Sequence, residues 1–291
     1  MPMASESPQE SLGAKLTAHD IRARKGDPRL SMVSVYDFPF ARLAEEAGID
    51  ILLVGDSLGM VVQGHDSTVP VTLDDIVYHA KAVRRGAART HVVADLPFLT
   101  YHIDTGRAIE NAGRLLQEGG ADSVKLEGGQ EIAERVAAIA RAGIPVMGHI
   151  GLTPQSAGAL GGFKVQGRDV ASARKILDDA RAIADAGAYA MVVEVIPAEL
   201  GEMITASVPI PTIGIGAGAV CDGQVLVAHD MLGLQERIIG RFAKVYANVG
   251  DDVRRAFSAF AEEVRAGSFP DEEHSYRMAK DVIAQLRESS R

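Results

Sequence analysis

The chain has 291 residues, 47% of them hydrophobic and 24% charged, with a formal net charge of −9. That balance suits one α/β domain of barrel size and argues against nucleic acid as the main partner, since phosphate binding needs clustered Lys and Arg. The single cysteine, Cys221, excludes an internal disulfide and a Cys-rich zinc site, and no apolar run approaches the ~20 residues that span a bilayer. Residues 1–15 are mostly polar and lack an apolar core, so they read as a mobile arm, not a secretory signal. A cytoplasmic protein without a membrane partner is expected.

Apolar runs without polar alternation predict strands buried on both faces. In chain order they fall at 32–36, 51–55, 91–94, 123–126, 145–148, 189–195, 212–215 and 225–228. Glycines Gly48, Gly86, Gly120, Gly143 and Gly187 precede five of these runs and suit the left-handed position that ends a helix. Amphipathic stretches lie between. Thr72 with Asp75 forms a capping box, and Leu73, Ile76, Val77, Ala80 and Val83 line one face. Thr105 starts the next helix, and Val170, Ala173, Ile176, Leu177, Ala180 and Ile183 line a later one. Eight strands alternating with helices predict a parallel, closed (β/α)8 TIM barrel. The expected organisation is an arm at 1–15, a single catalytic barrel at 16–275 that includes a C-terminal helix, and a tail at 276–291. Val253, Phe257, Phe260 and Val264 mark that helix, which either covers the barrel or reaches a neighbouring subunit. Two long connections, 57–71 and 150–168, leave strand C-termini and read as functional lids.

Charged groups gather at strand ends. Asp56 and Ser57 follow the second run, Asp95 the third, Lys125 and Glu127 the fourth, His149 the fifth, and Glu194 lies in the sixth. A lone carboxylate there often caps a helix. Three on neighbouring strands would repel unless a cation or protons intervened. Oxygen ligands without a Cys–His cluster favour Mg²⁺ over zinc. Lys125 and Glu127 are two apart, so they share one side, the barrel interior. Lys125 reads as a cation holding a substrate carboxylate; the alternatives are a Schiff-base nucleophile or a structural ion pair with Glu127. Glu194, flanked by valines, reads as a desolvated general base or as a structural buried acid. His149 receives no role. The GIGAG run at 214–218 is either a phosphate loop or a tight turn.

Taken together, LLVGDSLGMVVQGHDSTVPVT, VVADLPF, VKLEGG, GHIGLTPQS, GGFKVQGR, IPTIGIGAG, DGQVLV and EEHSY resemble the ketopantoate hydroxymethyltransferase family. The resemblance implies a (β/α)8 barrel that transfers a hydroxymethyl group from 5,10-methylenetetrahydrofolate to the 2-oxo acid 3-methyl-2-oxobutanoate, towards pantothenate and coenzyme A. It implies Mg²⁺ on Asp56 and Asp95, with Glu127 binding directly or through water. The substrate meets Asp56, Ser57, Asp95 and Lys125, Glu194 is the general base, and the assembly is a homodecamer. A Mg²⁺-dependent lyase or mutase of the phosphoenolpyruvate-mutase type is the alternative expectation, and a non-catalytic 2-oxo acid sensor the more distant one.

Overall fold

The computed structural model describes residues 15–235 and 240–290. The expected arm, apart from residue 15, lies outside them. Parallel strands β1 (Leu30–Ser34), β2 (Ile51–Val54), β3 (His91–Asp95), β4 (Ser123–Glu127), β5 (Val146–Gly151), β6 (Ala190–Glu194), β7 (Thr212–Ile215) and β8 (Gly223–Val227) close in sequence order, with β8 returning to β1. This is the predicted TIM barrel. Most strand limits fall within two residues of the apolar runs. The exception is β5, which continues to Gly151 and so carries His149 inside the sheet.

The absence of polar alternation has a direct cause. In β2, Leu52 and Val54 face the helices, while Ile51 and Leu53 face the barrel interior, and all four are buried. Each strand thus feeds two cores. In β4 the interior set is Ser123, Lys125 and Glu127, while Val124 and Leu126 pack outward. The inner core is closed at the N-terminal end by Ile21, from the short helix Ala18–Ala23.

The helix Leu73–Gly86 starts at the predicted box, with Asp75 N donating to Thr72 Oγ1 at 3.2 Å and Thr72 N to Asp75 Oδ2 at 2.9 Å. Two details differ from expectation. Gly86 is the last residue of that helix, as expected, and Ala87 follows as the cap, but Gly86 does not take the left-handed conformation. A Cβ there would stand 2.4 Å from the Phe38 carbonyl, so glycine permits the close crossing with helix Phe38–Glu46. Val170 is 77% exposed, because it opens the helix Val170–Asp185 before that helix reaches the sheet. The C-terminal helix Val249–Ala266 forms as predicted, but Phe257, Phe260 and Val264 on its apolar face stay exposed. Among the described residues no helix is long and apolar enough to cross a membrane.

The N-terminal face is tied by one buried acid. Asp222 accepts from Gly26 N (2.9 Å), Thr212 N (2.8 Å) and Lys25 Nζ (2.9 Å). Burial alone would raise its pKa; Lys25 and the backbone donors outweigh that and hold the carboxyl below its ordinary value. Its contribution is therefore complete above the unfolded carboxylate pKa and is lost as pH falls through the lower folded value. Asp222→Ala is expected to cost about 3 kcal/mol at pH 7. The penalty should shrink below pH ~4. Thermal melts of the two proteins across pH check this, and a pH-independent penalty would contradict it.

Candidate active site

The barrel register sets the predicted charged residues side by side at the C-terminal mouth. Asp95 pairs in register with Lys125, Glu127 with His149, and Gly151 with Glu194. Asp56 leaves β2 in the turn after Gly55, and its backbone N donates to Asp95 Oδ2 at 3.0 Å. A Cβ on Gly55 would meet Ser57 Oγ at 3.0 Å and Asp95 Oδ2 at 3.3 Å, so glycine lets the carboxylate close on the turn. Ser57 starts a one-turn helix, Leu58–Val61, and its hydroxyl lies 2.8 Å from that of Tyr36.

Asp56, Asp95, Lys125, Glu127 and His149 are all at most 4% exposed. Lys125 Nζ lies 2.9 Å from Asp95 Oδ1 and 3.2 Å from His149 Nδ1. Burial works against charge on Lys125, but Asp95, Glu127 and Asp56 outweigh it and raise its pKa. That favours the cation over the neutral amine a Schiff base needs. His149 has partners on both sides, with Nδ1 3.4 Å from Glu127 Oε1 and Nε2 3.0 Å from Glu194 Oε2. Burial and Lys125 both oppose its charge, yet the two carboxylates raise its pKa to about 9. In return, His149 leads the groups that overcome the burial of Glu127 and bring its pKa down. Asp56 is the opposite case. Burial, then repulsion from Glu127 and Asp95, pushes its carboxyl well above the usual range.

Glu194 departs from expectation in one respect. Its side chain is 15% exposed, at the rim and against His149, not sealed among valines. The following residue, Val195, has φ +46°, which is unusual for a β-branched side chain. It is held there because Val195 N donates to Ile215 O at 2.8 Å and its carbonyl accepts from Gln166 N at 3.0 Å.

Two further residues belong to the site that the sequence did not single out. Gln155, in the turn Pro154–Ser156 after β5, donates from Nε2 to Asp56 Oδ2 (2.8 Å) and from its backbone N to Glu127 Oε2 (2.9 Å). The Tyr101 hydroxyl lies 2.8 Å from Gln155 Oε1 and 2.9 Å from the Glu127 carbonyl. Beside Glu127 opens a cavity of about 390 Å³, walled by Gly129, Gly151, Thr153, Lys175 and Ile176. The glycine run after β7 is not open. Added Cβ atoms on Gly216 and Gly218 would meet Phe242 at 3.1 Å and Ala198 at 2.7 Å, so the tight-turn reading holds.

With every group ionised, four carboxylates (Asp56, Asp95, Glu127 and Glu194) face two cations, Lys125 and His149. Two negative charges are left over at the mouth. Hard oxygens with such a surplus suit a divalent ion of the magnesium type. Among the described residues, no three His, Cys, Asp or Glu side chains enclose a complete metal site by themselves.

Residues 15–272 match the sequence model of the family described as ketopantoate hydroxymethyltransferase. A 3-methyl-2-oxobutanoate hydroxymethyltransferase of Carboxydothermus hydrogenoformans is 55% identical over 263 residues, covering 90% of this chain and 95% of that protein. One from Oleidesulfovibrio alaskensis is 55% identical over 266 residues, covering 91% and 92%. Among solved structures, a 2,3-dimethylmalate lyase of the PEP mutase/isocitrate lyase superfamily aligns with TM-score 0.56 and 18% identity over 94% of each chain. A phosphonopyruvate hydrolase in complex with oxalate and Mg²⁺ aligns with TM-score 0.58 and 14% identity over 94% of this chain and 96% of that one. These structural likenesses show the shared barrel.

Removing Lys125 should expose the charge surplus. In EDTA, Lys125→Met is expected to lose about 3–5 kcal/mol at pH 8. The stranded carboxylates then bind protons more readily folded than unfolded, so the loss should shrink as pH falls to 5. Denaturant melts at both pH values check this; equal penalties would count against it.

Proposed function

The chain belongs to the ketopantoate hydroxymethyltransferase family, and on that basis we propose that it transfers a hydroxymethyl group from 5,10-methylenetetrahydrofolate to 3-methyl-2-oxobutanoate. The product is 2-dehydropantoate, on the first committed step to pantothenate and coenzyme A. The observation that carries this reading is the buried set of surplus carboxylates with Glu194 on its rim. It calls for a divalent cation beside a proton acceptor, which is what proton removal next to a 2-oxo group requires.

Asp56 and Asp95 would hold Mg²⁺, with Glu127 acting directly or through water. Bound there, the ion would polarise the 2-oxo group and make the C3 proton more acidic. The Lys125 ammonium, kept charged by its carboxylate neighbours, holds the substrate carboxylate. Ser57, backed by the Tyr36 hydroxyl, donates to the substrate. His149 Nε2 stands 3.0 Å from Glu194 Oε2 and orients its carboxylate. Glu194 takes the C3 proton, and the carbon left nucleophilic attacks the one-carbon unit of the folate. Water supplies the hydroxyl oxygen as tetrahydrofolate leaves. The cavity beside Glu127 has room for a ring of the folate's size and opens at the ends of β4 and β5. The exposed apolar residues of Val249–Ala266 support a homo-oligomer, the decamer of the resemblance, and a cytoplasmic location fits the pathway.

Turnover of 3-methyl-2-oxobutanoate with 5,10-methylenetetrahydrofolate, lost in EDTA and restored by Mg²⁺, is the expected result. A chain that exchanges C3 protons but transfers no carbon would favour a lyase or mutase instead. Glu194→Gln should slow solvent deuterium exchange at C3 by at least about 100-fold while the 2-oxo acid still binds. Unchanged exchange would remove Glu194 from the base role.

A further inference from the structure

Gln155 is a neutral residue at 4% exposure whose backbone N and side-chain polar atoms all have partners at the site. Its amide hydrogens go to two oxygens, Asp56 Oδ2 at 2.8 Å and the Leu96 carbonyl at 3.0 Å. Its Oε1 faces the Tyr101 hydroxyl. This fixes the amide's orientation, because a flip would press its oxygen against two acceptors. The donor on Asp56 Oδ2 fixes one oxygen of that carboxylate. The backbone of the same residue orients Glu127.

Gln155 also belongs to the long connection after β5. That connection is rooted at Leu152, whose N donates to Glu194 O (2.8 Å), and returns at Gln166, bonded to Val195 O (3.0 Å). Between these points Gly161 and Gly162 take positive φ, and Phe163 and Val165 are about half exposed. Gln155 is thus the point where the first turn of this loop grips the carboxylates.

We infer that Gln155 is a positioning residue that aims Asp56 at the divalent cation and, through its place in the loop, links order in residues 156–166 to cation binding. The inference rests on the cation reading above. Linkage is reciprocal: if the bound ion holds Asp56 in the geometry that Gln155 favours, it steadies the loop, and a steadied loop tightens the ion. A glutamine that merely satisfied the Leu96 carbonyl would do neither.

The test uses the full chain, Mg²⁺ alone, and Gln155→Met, which keeps the length and loses the donor. Calorimetry should show Mg²⁺ affinity about 10- to 100-fold weaker in the variant. Hydrogen exchange over 156–166 should slow on adding Mg²⁺ to the unsubstituted chain, and stay fast in the variant even at saturation. Tyr101→Phe frees the amide without removing it. It should weaken Mg²⁺ by a smaller factor, add little in the Gln155→Met background, and carry the test if the Met variant does not fold. Equal Mg²⁺ affinity and equal loop response in the variant and the unsubstituted chain would overturn the inference while leaving the cation reading standing. No Mg²⁺ binding by the unsubstituted chain would overturn both.

Discussion

The structure turns on an imbalance of buried charge. Four acids and two bases meet at one end of a closed barrel, five of these six groups almost fully enclosed. Pairing them internally is incomplete. Lys125 pairs with Asp95 and feels the charge of Glu127, while His149 is shared by Glu127 and Glu194. For Asp56, the pull of Lys125 and the Gln155 donor do not outweigh burial and the repulsion of Glu127 and Asp95, which is why its carboxyl is driven upward. An enclosed group in that position is costly unless something positive arrives. The surplus of buried carboxylates therefore suits a divalent cation.

The two ends of the barrel divide the labour. At the N-terminal end, Asp222 is satisfied by Lys25 and by backbone donors, and the plug residue Ile21 seals the inner core. Acids there have matched partners and serve stability. At the C-terminal end the match is deliberately short by two charges, which suits chemistry over stability. Strand alternation makes the contrast possible. One β4 sequence sends Val124 and Leu126 into the helix layer while Lys125 and Glu127 line the interior.

Much of this was legible in the sequence because strands announce themselves by apolar runs and their ends by the first charged residue. The eight strands, the shared side of Lys125 and Glu127, and the gathering of Asp56, Asp95 and Glu127 all follow from that pattern. What escaped depends on contacts between distant segments. Gly86 does end a helix, but glycine is required there by the Phe38 carbonyl of another helix, not by a left-handed cap. His149 looked alone because its partners, Glu127 and Glu194, lie on neighbouring strands. Gln155 carries no charge and sits in a loop, so nothing in its own neighbourhood signals its bonds to Asp56 and Glu127.

The placement of Glu194 makes sense only beside that of Asp56. A group that waits for a metal gains from deep enclosure, since a low dielectric strengthens the later contact. A group that must take a proton from substrate and pass it on gains from the rim. Both acids follow apolar strands, so burial of the strand alone does not separate them. The separation comes from the backbone beyond the carboxylate. Asp56 turns inward through Gly55 and is fastened by Gln155 and by its N–H to Asp95. Glu194 is followed by Val195 in a left-handed conformation, which costs about 1–3 kcal/mol and is held by β7 on one side and by Gln166 on the other. The strain lies at the residue that ends the strand and aims the proposed base at the mouth. The same hydrogen bond from Gln166 ties it to the loop that Gln155 anchors, so the proposed base, the proposed cation ligands and the loop are joined.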